Sequence, residues 1–287
     1  MEKKKNREWL LLVSIICVAA NLRAPITAVG PLIASMRESM PFSSGVLGLL
    51  TTIPLVMFAV ISPFVRKLSD ALGAGKTLLY SVCIIALGIV LRSYANVGGL
   101  FAGTVLLGIG IAVGNVLVPG VIKARFPQRV GLGTSAFTLS MTALAALASA
   151  VSYPLSKLPG VGWRNALAVW FGLALVGILA WWPNRALITR AQAQKLDDAP
   201  QQPRAESAEE QRSVFRSPMA WWLTLLMGAQ SFLFYFFTAW LPTIAQFRGV
   251  SPETAGYIAF AYQLSTIPAA FVIPTVAARL KDQRSVI

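Results

Sequence analysis

An arginine stands in the middle of an apolar run that is long enough to cross a bilayer: Asn21-Leu-Arg-Ala-Pro25 places Arg23 inside the stretch from Trp9 to Ala34. A guanidinium in hydrocarbon costs about 2.5 to 3.5 kcal/mol on insertion scales and roughly 10 or more in simulations of an isolated helix, so Arg23 is expected to face protein or a water-filled cavity. Two residues on, Pro25 has no N–H to give to the carbonyl of Asn21, so the helix opens there and leaves a backbone acceptor beside a cation. Together these groups can hold a polar solute at mid-membrane. The competing role for Arg23 is structural, tying spans together.

The acids sharpen the chemistry. Glu8 and Asp70 stand at span ends, Glu253 at the mouth of the last span, and the others in tails, loops or a polar linker. An arginine without a carboxylate in the membrane favours an anion or an electron-rich acceptor, because the guanidinium presents a planar fork of donors, and it disfavours a buried proton carrier. A second line of candidate binding residues is Asn21, Thr27 and Asn115, then Gln230, Tyr235, Tyr262 and Gln263. On a continuous helix Arg23, Thr27 and Gly30 share a face, while Asn21 projects elsewhere and offers its freed carbonyl rather than its amide. For each of these singly, a hydrogen bond between helices is the commoner role. Phe232, Phe234, Phe236 and Phe237 read as packing or lipid contact. Histidine is absent, Cys17 and Cys83 both lie in apolar runs, and no paired carboxylates occur in the spans, so no metal site, cofactor or catalytic constellation is expected.

The elements that must position these residues are membrane helices. With 56% hydrophobic residues, 13% charged and a mean hydropathy of +0.65, the chain reads as an all-α integral membrane protein. Eight transmembrane helices are predicted. After the first come Gly45 to Val65, broken by Pro54 and Pro63; Thr77 to Tyr94; Gly98 to Ile122; Val130 to Leu155; and Trp163 to Trp182, with tryptophans at both interfaces. In the fourth, the Gly99/Gly103 and Gly110/Gly114 pairs should let a neighbouring backbone approach closely. Residues 183–217 are polar and mixed in charge and form a linker outside the membrane. Met219 to Gln246 and Thr254 to Val276 follow. The first twenty residues imitate a secretory signal, but the apolar character resumes beyond Arg23 and many spans follow, so the segment reads as a retained span.

The net charge of +14 forms no stripe suited to nucleic acid and sits in short connections. Placing the N-terminus in the cytoplasm puts most of the 25 Lys and Arg inside, leaving Arg37, Arg92, Lys157, Arg164 and Arg248 outside. An internal repeat is also legible. Thr52-Ile-Pro54, Pro63 and Lys67-Leu-Ser-Asp70 in the second span return in order as Thr266-Ile-Pro268, Pro274 and Arg279-Leu-Lys-Asp282 in the eighth, and Asn21/Pro25 is echoed by Thr238/Pro242 and Asn115/Pro119. The repeat divides the chain into a six-helix unit over 1–182, a cytoplasmic linker over 183–217, and the first two helices of a second unit over 218–287.

Several stretches resemble the major facilitator superfamily and, within it, the cyanate and 2-nitroimidazole porter family: Asn-Leu-Arg-Ala-Pro at 21–25, Leu-Leu-Thr-Thr-Ile-Pro at 49–54, Gly-Ile-Ala-Val-Gly-Asn-Val-Leu-Val-Pro-Gly at 110–120, Phe-Pro-Gln-Arg-Val at 126–130, Trp-Leu-Pro at 240–242 and Lys-Asp-Gln-Arg at 281–284. The resemblance implies a helical bundle of two six-span halves around a central cavity, with alternating access to it. Against the family's twelve spans the chain looks truncated after the eighth. The family's loop between spans 2 and 3 keeps Asp70 and Gly73, but Arg66 stands at its first glycine and Ala71 at its arginine; Arg66, Asp70, Gly73 and, in the repeat, Asp282 are the candidate gating residues, a solvated basic turn being the bland reading. Thr104 occupies the place of the span 4 arginine associated with proton exchange, so proton coupling is unsupported. The expectation is a monomeric permease of the inner or plasma membrane carrying a small anionic or nitrogen-rich polar solute such as cyanate or a nitroimidazole-like compound. The alternatives are a drug-type exporter and a non-functional truncated porter.

Overall fold

Each crossing segment begins where the sequence supplies a helix start and ends where it supplies a stop. The computed structural model describes residues 2–186 and 217–277; most of the linker, and Asp282, lie outside the described residues. Helices α1 (Glu2–Ala20), α2 (Ala24–Thr27) and α3 (Val29–Ser39) make the first, broken crossing. They are followed by α4 (Ser44–Leu72), α5 (Ala74–Tyr94), α6 (Val97–Arg125) and α7 (Val130–Ser156); α8 (Gly162–Ala168) and α9 (Trp170–Trp181) share the sixth crossing, and α10 (Pro218–Phe247) and α11 (Pro252–Ala277) complete the set. No strand occurs among the described residues. Seven of these segments are long and apolar enough to span a membrane. The eighth, α11, has 26 residues, about 39 Å of helix at 1.5 Å per residue.

Side-chain caps set four of the starts: Ser43 accepts from the Val46 N–H at 3.3 Å, Asn96 from Gly99 at 3.0 Å, Ser217 from Ala220 at 3.4 Å and Ser251 from Thr254 at 3.2 Å. Gly73 both ends α4 and starts α5 at φ 86°, a conformation that penalises any side chain. Pro54 and Pro63 do not break α4, contrary to the sequence reading; the helix continues through both. In a bilayer no water competes for the freed carbonyls, and neighbouring helices stabilise the continuous form.

The closest helix pair is α5 with α6, and small residues make it. A Cβ at Gly103 would lie 2.5 Å from the Arg92 backbone nitrogen and 2.6 Å from the Gly88 oxygen, and one at Gly110 would lie 2.5 Å from the Ser81 oxygen. The face turned to α5 therefore carries Gly99, whose Cβ would lie 3.4 Å from the Leu91 oxygen, with Gly103 and Gly110, so the Gly99/Gly103 pair packs as the sequence predicts and only the Gly110/Gly114 pair is divided. Gly114 instead receives the Leu22 side chain from the break in the first crossing. Since the atoms facing Gly103 are backbone and cannot turn away, Gly103→Ala is expected to destabilise the protein by about 2 kcal/mol. A lowered thermal midpoint in detergent would show it, whereas Gly120→Ala, which meets nothing within 4 Å, should leave the midpoint unchanged.

Helix α10 meets the rest of the bundle unevenly. Trp221 to Leu233 is exposed throughout, while Thr238, Pro242, Thr243 and Ala245 are buried. The contact is sealed by two gaps in the opposing helices: a Cβ at Gly30 would lie 3.2 Å from the Ala239 oxygen, and one at Gly48 would lie 2.8 Å from the Trp240 ring. Thus α10 closes on α3 and α4 at the end of the bundle far from the linker and stands away from them on the linker side.

Candidate functional site

The first crossing breaks where Pro25 predicts. α1 ends in two short-range bonds, Asn21 N–H to the Val18 oxygen and Leu22 N–H to the Ala19 oxygen, both 3.0 Å, and Arg23 sits in the gap before α2 with φ −131° and ψ −40°. The gap turns successive side chains to different neighbours. Arg23, half-buried, lies over the Phe234 ring of α10 at 4.5 Å from its centroid. Thr27 donates to the Ala145 oxygen of α7 at 3.0 Å, and Gly30 meets α10. The shared face expected for Arg23, Thr27 and Gly30 is therefore corrected: it assumed a helix continuous from 23 to 30, and the break rotates Thr27 away from the other two.

Phe234, read from sequence as packing, is thus the cation's floor, and Tyr235 packs edge-on against it at 5.2 Å. The Nε of Arg23 is buried without a hydrogen-bond partner among the described residues. Next to this group a cavity of about 570 Å³ opens between the break, α4 and α10, with Ile26, Thr51, Thr52, Phe58, Tyr235 and Thr238 in its wall. The Phe58 ring stands edge-on to Tyr235 at 6.4 Å. Thr51 and Thr52 were legible as the Thr-Thr pair of the 49–54 motif, but nothing in that motif says which way they point.

Gln263 of α11 is buried and donates to Ser149 Oγ at 2.9 Å and to the Ala145 oxygen at 3.3 Å. One carbonyl thus accepts from both Thr27 and Gln263, and Ser149 adds a third bond at 3.1 Å. This node links the break, α7 and α11. Asn21 is fully buried, its amide donating to the Cys17 oxygen at 2.9 Å and to the Leu173 oxygen of α9 at 3.1 Å. Asn115 is half-buried on α6, Tyr262 packs on the Phe237 ring at 5.8 Å, and Gln230 is exposed on α10, one turn before Phe234.

Arg92 is the largest departure from the sequence reading, which placed it in an outer turn. It is 1% exposed and donates from Nη1 to the Pro25 oxygen at 2.9 Å, while its Nε and Nη2 are buried without partners among the described residues. Position near the end of an apolar run looked like a topology signal. The side chain instead reaches back into the bundle, over the space that Gly103 leaves open, to the break beside Arg23.

Of the loop residues, Arg66 and Asp70 are exposed on the last turns of α4 and neither is without a partner. Gly73 supplies the turn itself. Gly75 adds a close approach: its carbonyl accepts from Trp181 Nε1 at 2.8 Å, and a Cβ there would lie 2.7 Å from the Arg185 oxygen. Asp282 falls outside the described residues. No cluster of metal-ligating side chains occurs among the described residues.

Comparison with known proteins gives a consistent picture. The Major Facilitator Superfamily description matches residues 11–287. An uncharacterized transporter, YycB of Bacillus subtilis (strain 168), is 41% identical over 284 residues, covering 99% of this chain and 68% of the relative. The 2-nitroimidazole transporter of Escherichia coli (strain K12) is 36% identical over 282 residues, 98% of this chain and 69% of the relative. The cyanate transport protein CynX of the same organism is 27% identical over 278 residues, 96% and 69% respectively. Among solved structures, a D-xylose-proton symporter superposes with a TM-score of 0.71 at 12% identity, covering 95% of this chain and 69% of that one, which speaks to the fold alone.

Proposed function

We propose, from the premise that this chain belongs to the major facilitator superfamily of membrane transporters, that it carries a small anionic or nitrogen-rich polar solute, of the kind that the names of two relatives, cyanate and 2-nitroimidazole, represent. The observation that carries the reading is the state of Arg23: a half-buried guanidinium at a helix break, lying on Phe234 beside a cavity, with a buried Nε–H that has no partner among the described residues. An aromatic face fixes the plane of the guanidinium, Tyr235 takes one hydrogen bond, and the donors left at the edge suit a flat acceptor such as a nitro group, a cyanate or a carboxylate. Lipophilic cations would meet repulsion there.

The carrier works by alternating access between the six-helix unit 1–182 and the unit that begins at 218, with linker and N-terminus on the cytoplasmic side, as the basic residues favour. Closure at Gly30 and Gly48, with α10 standing away on the linker side, suits a conformation open to the cytoplasm. Its far seam is closed at a cost. Thr238 Oγ1, Thr243 Oγ1 and Gln246 Nε2 on α10 are buried without partners among the described residues, and such atoms each cost about 1 to 3 kcal/mol. Water satisfies them when the seam opens, which brings the two conformations closer in energy.

Uptake of labelled cyanate and 2-nitroimidazole into vesicles holding this chain, with a competitor panel of small anions and lipophilic cations, tests the reading. Competition by anions and nitro compounds supports it. Competition by lipophilic cations alone, with flux following a pH gradient, replaces it with the drug-exporter reading.

A further inference from the structure

A second, smaller cavity lies at the closed far end of the same seam. It measures about 190 Å³, room for several waters at roughly 30 Å³ each, and is walled by Ile33, Ala34 and Arg37 of α3 and by Thr243, Gln246 and Phe247 of α10. We propose that it is a binding site for a small monovalent anion at the outer mouth, separate from Arg23 and standing without the Arg23 reading.

The polar groups in its wall are donors that lack acceptors. Thr243 is 8% exposed, and its hydroxyl has no hydrogen-bond partner among the described residues; the same holds for the Gln246 Nε2. Buried donors of this kind are costly unless something outside the protein fills the need, and an anion fills both at once. Arg37, exposed at the rim, supplies the charge. The adjacent carboxylate does not cancel it, since Glu38 is turned to Lys157 at 3.8 Å. The remaining wall of Ile33, Ala34 and Phe247 is apolar, which strengthens a charge-assisted hydrogen bond and excludes anions that need their full hydration shell. The frame is rigid on both sides: Ser39 on the last turn of α3 accepts from Trp163 Nε1 at 2.7 Å, and Gly30 fixes the spacing of α3 and α10.

The test is titration of the whole chain in detergent with sodium nitrate, ionic strength being held with sodium gluconate, while the thermal midpoint is followed by tryptophan fluorescence. Arg23→Gln removes the other cation, so nitrate should still raise the midpoint in that variant. Adding Arg37→Gln, or Thr243→Val with Gln246→Leu, should then raise the half-effective nitrate concentration about tenfold. Loss of the whole response in Arg23→Gln alone overturns this second site and leaves the Arg23 reading standing. An equal response in every variant marks a general salt effect and overturns it too. Of these added changes Arg37→Gln, at an exposed position, reads the shift without threatening the fold.

Discussion

In Arg23→Ala, solute uptake is expected to fall about a hundredfold in kcat/KM while the chain still inserts and folds. The loss of one charge-assisted, partly desolvated contact accounts for roughly 3 kcal/mol, and a factor of ten corresponds to about 1.4 kcal/mol. Folding survives because Arg23 pairs with no carboxylate among the described residues and its Nε has no partner among them, so truncation leaves no opposite charge buried; it removes one hydrogen bond to Tyr235 and a half-buried charge. Arg23→Lys separates charge from geometry. An ammonium keeps the attraction for an anion but offers neither the planar fork nor a flat face to lie on Phe234, so it recovers less than a tenth of the parent rate. Phe234→Leu belongs to the same set and should raise KM severalfold, since the guanidinium loses the surface that fixes its plane. Vesicle flux measured across solute concentration resolves these cases. Parent-like kcat and KM in both Arg23 variants would take the cation out of the binding site.

What could be read from the sequence follows from what sequence encodes locally. The helix break was legible because proline's missing N–H acts on its own carbonyl partner four residues back, and the structure opens at Asn21 to Arg23 as that rule requires. Membrane class, helix order and family were legible because composition and span length are summed over many residues. The partners of each polar side chain were not. Phe234 sits in a run of aromatics from Phe232 to Phe237, and only the rotation of α10 against the break decides which ring meets Arg23. Thr27 and Gln263, more than two hundred residues apart in the chain, bond the same Ala145 oxygen, a coincidence that no spacing rule contains. Arg92 misled for a physical reason. A long side chain near a helix end can run outward to water or inward to a carbonyl, and the choice depends on whether the neighbouring helix leaves room, which here Gly103 does.

The Ala145 node bears on how the halves move. It couples the break to α11 through one acceptor, so any rotation of α11 against α7 changes the surroundings of Thr27 and, four residues earlier, Arg23. Gly256, whose Cβ would lie 2.9 Å from the Ser149 oxygen, keeps those two backbones in sliding contact at the same level. A solute held as proposed at Arg23 would therefore be linked to the packing of α7 on α11 through a hydrogen-bonded chain rather than through distance alone.

Arg92→Met is expected to lower kcat/KM by about thirtyfold with the chain still folded, the loss expected of a residue that positions Arg23. Two effects oppose each other in that variant. Removing a fully buried cation with two unpartnered donor groups is favourable, since an apolar side chain of similar volume in its place is often neutral or stabilising. Against this, the Pro25 carbonyl loses its 2.9 Å bond from Nη1, at about 1.5 to 3 kcal/mol for a bond from a charged donor. The two nearly offset in stability, so the thermal midpoint should move by only a few degrees. They do not offset in function, because the lost bond anchors the segment that carries Arg23 over Phe234, and a loosened anchor spreads the guanidinium over orientations that do not meet the solute. Most of the loss should therefore fall in KM. Arg92→Lys, able to give one hydrogen bond to the same carbonyl, should restore the greater part of the rate. A midpoint that collapses in Arg92→Met, or a rate that Arg92→Lys does not rescue, would mark Arg92 as a packing element and leave Arg23 to be held by Phe234 and the turn at Asn21 alone.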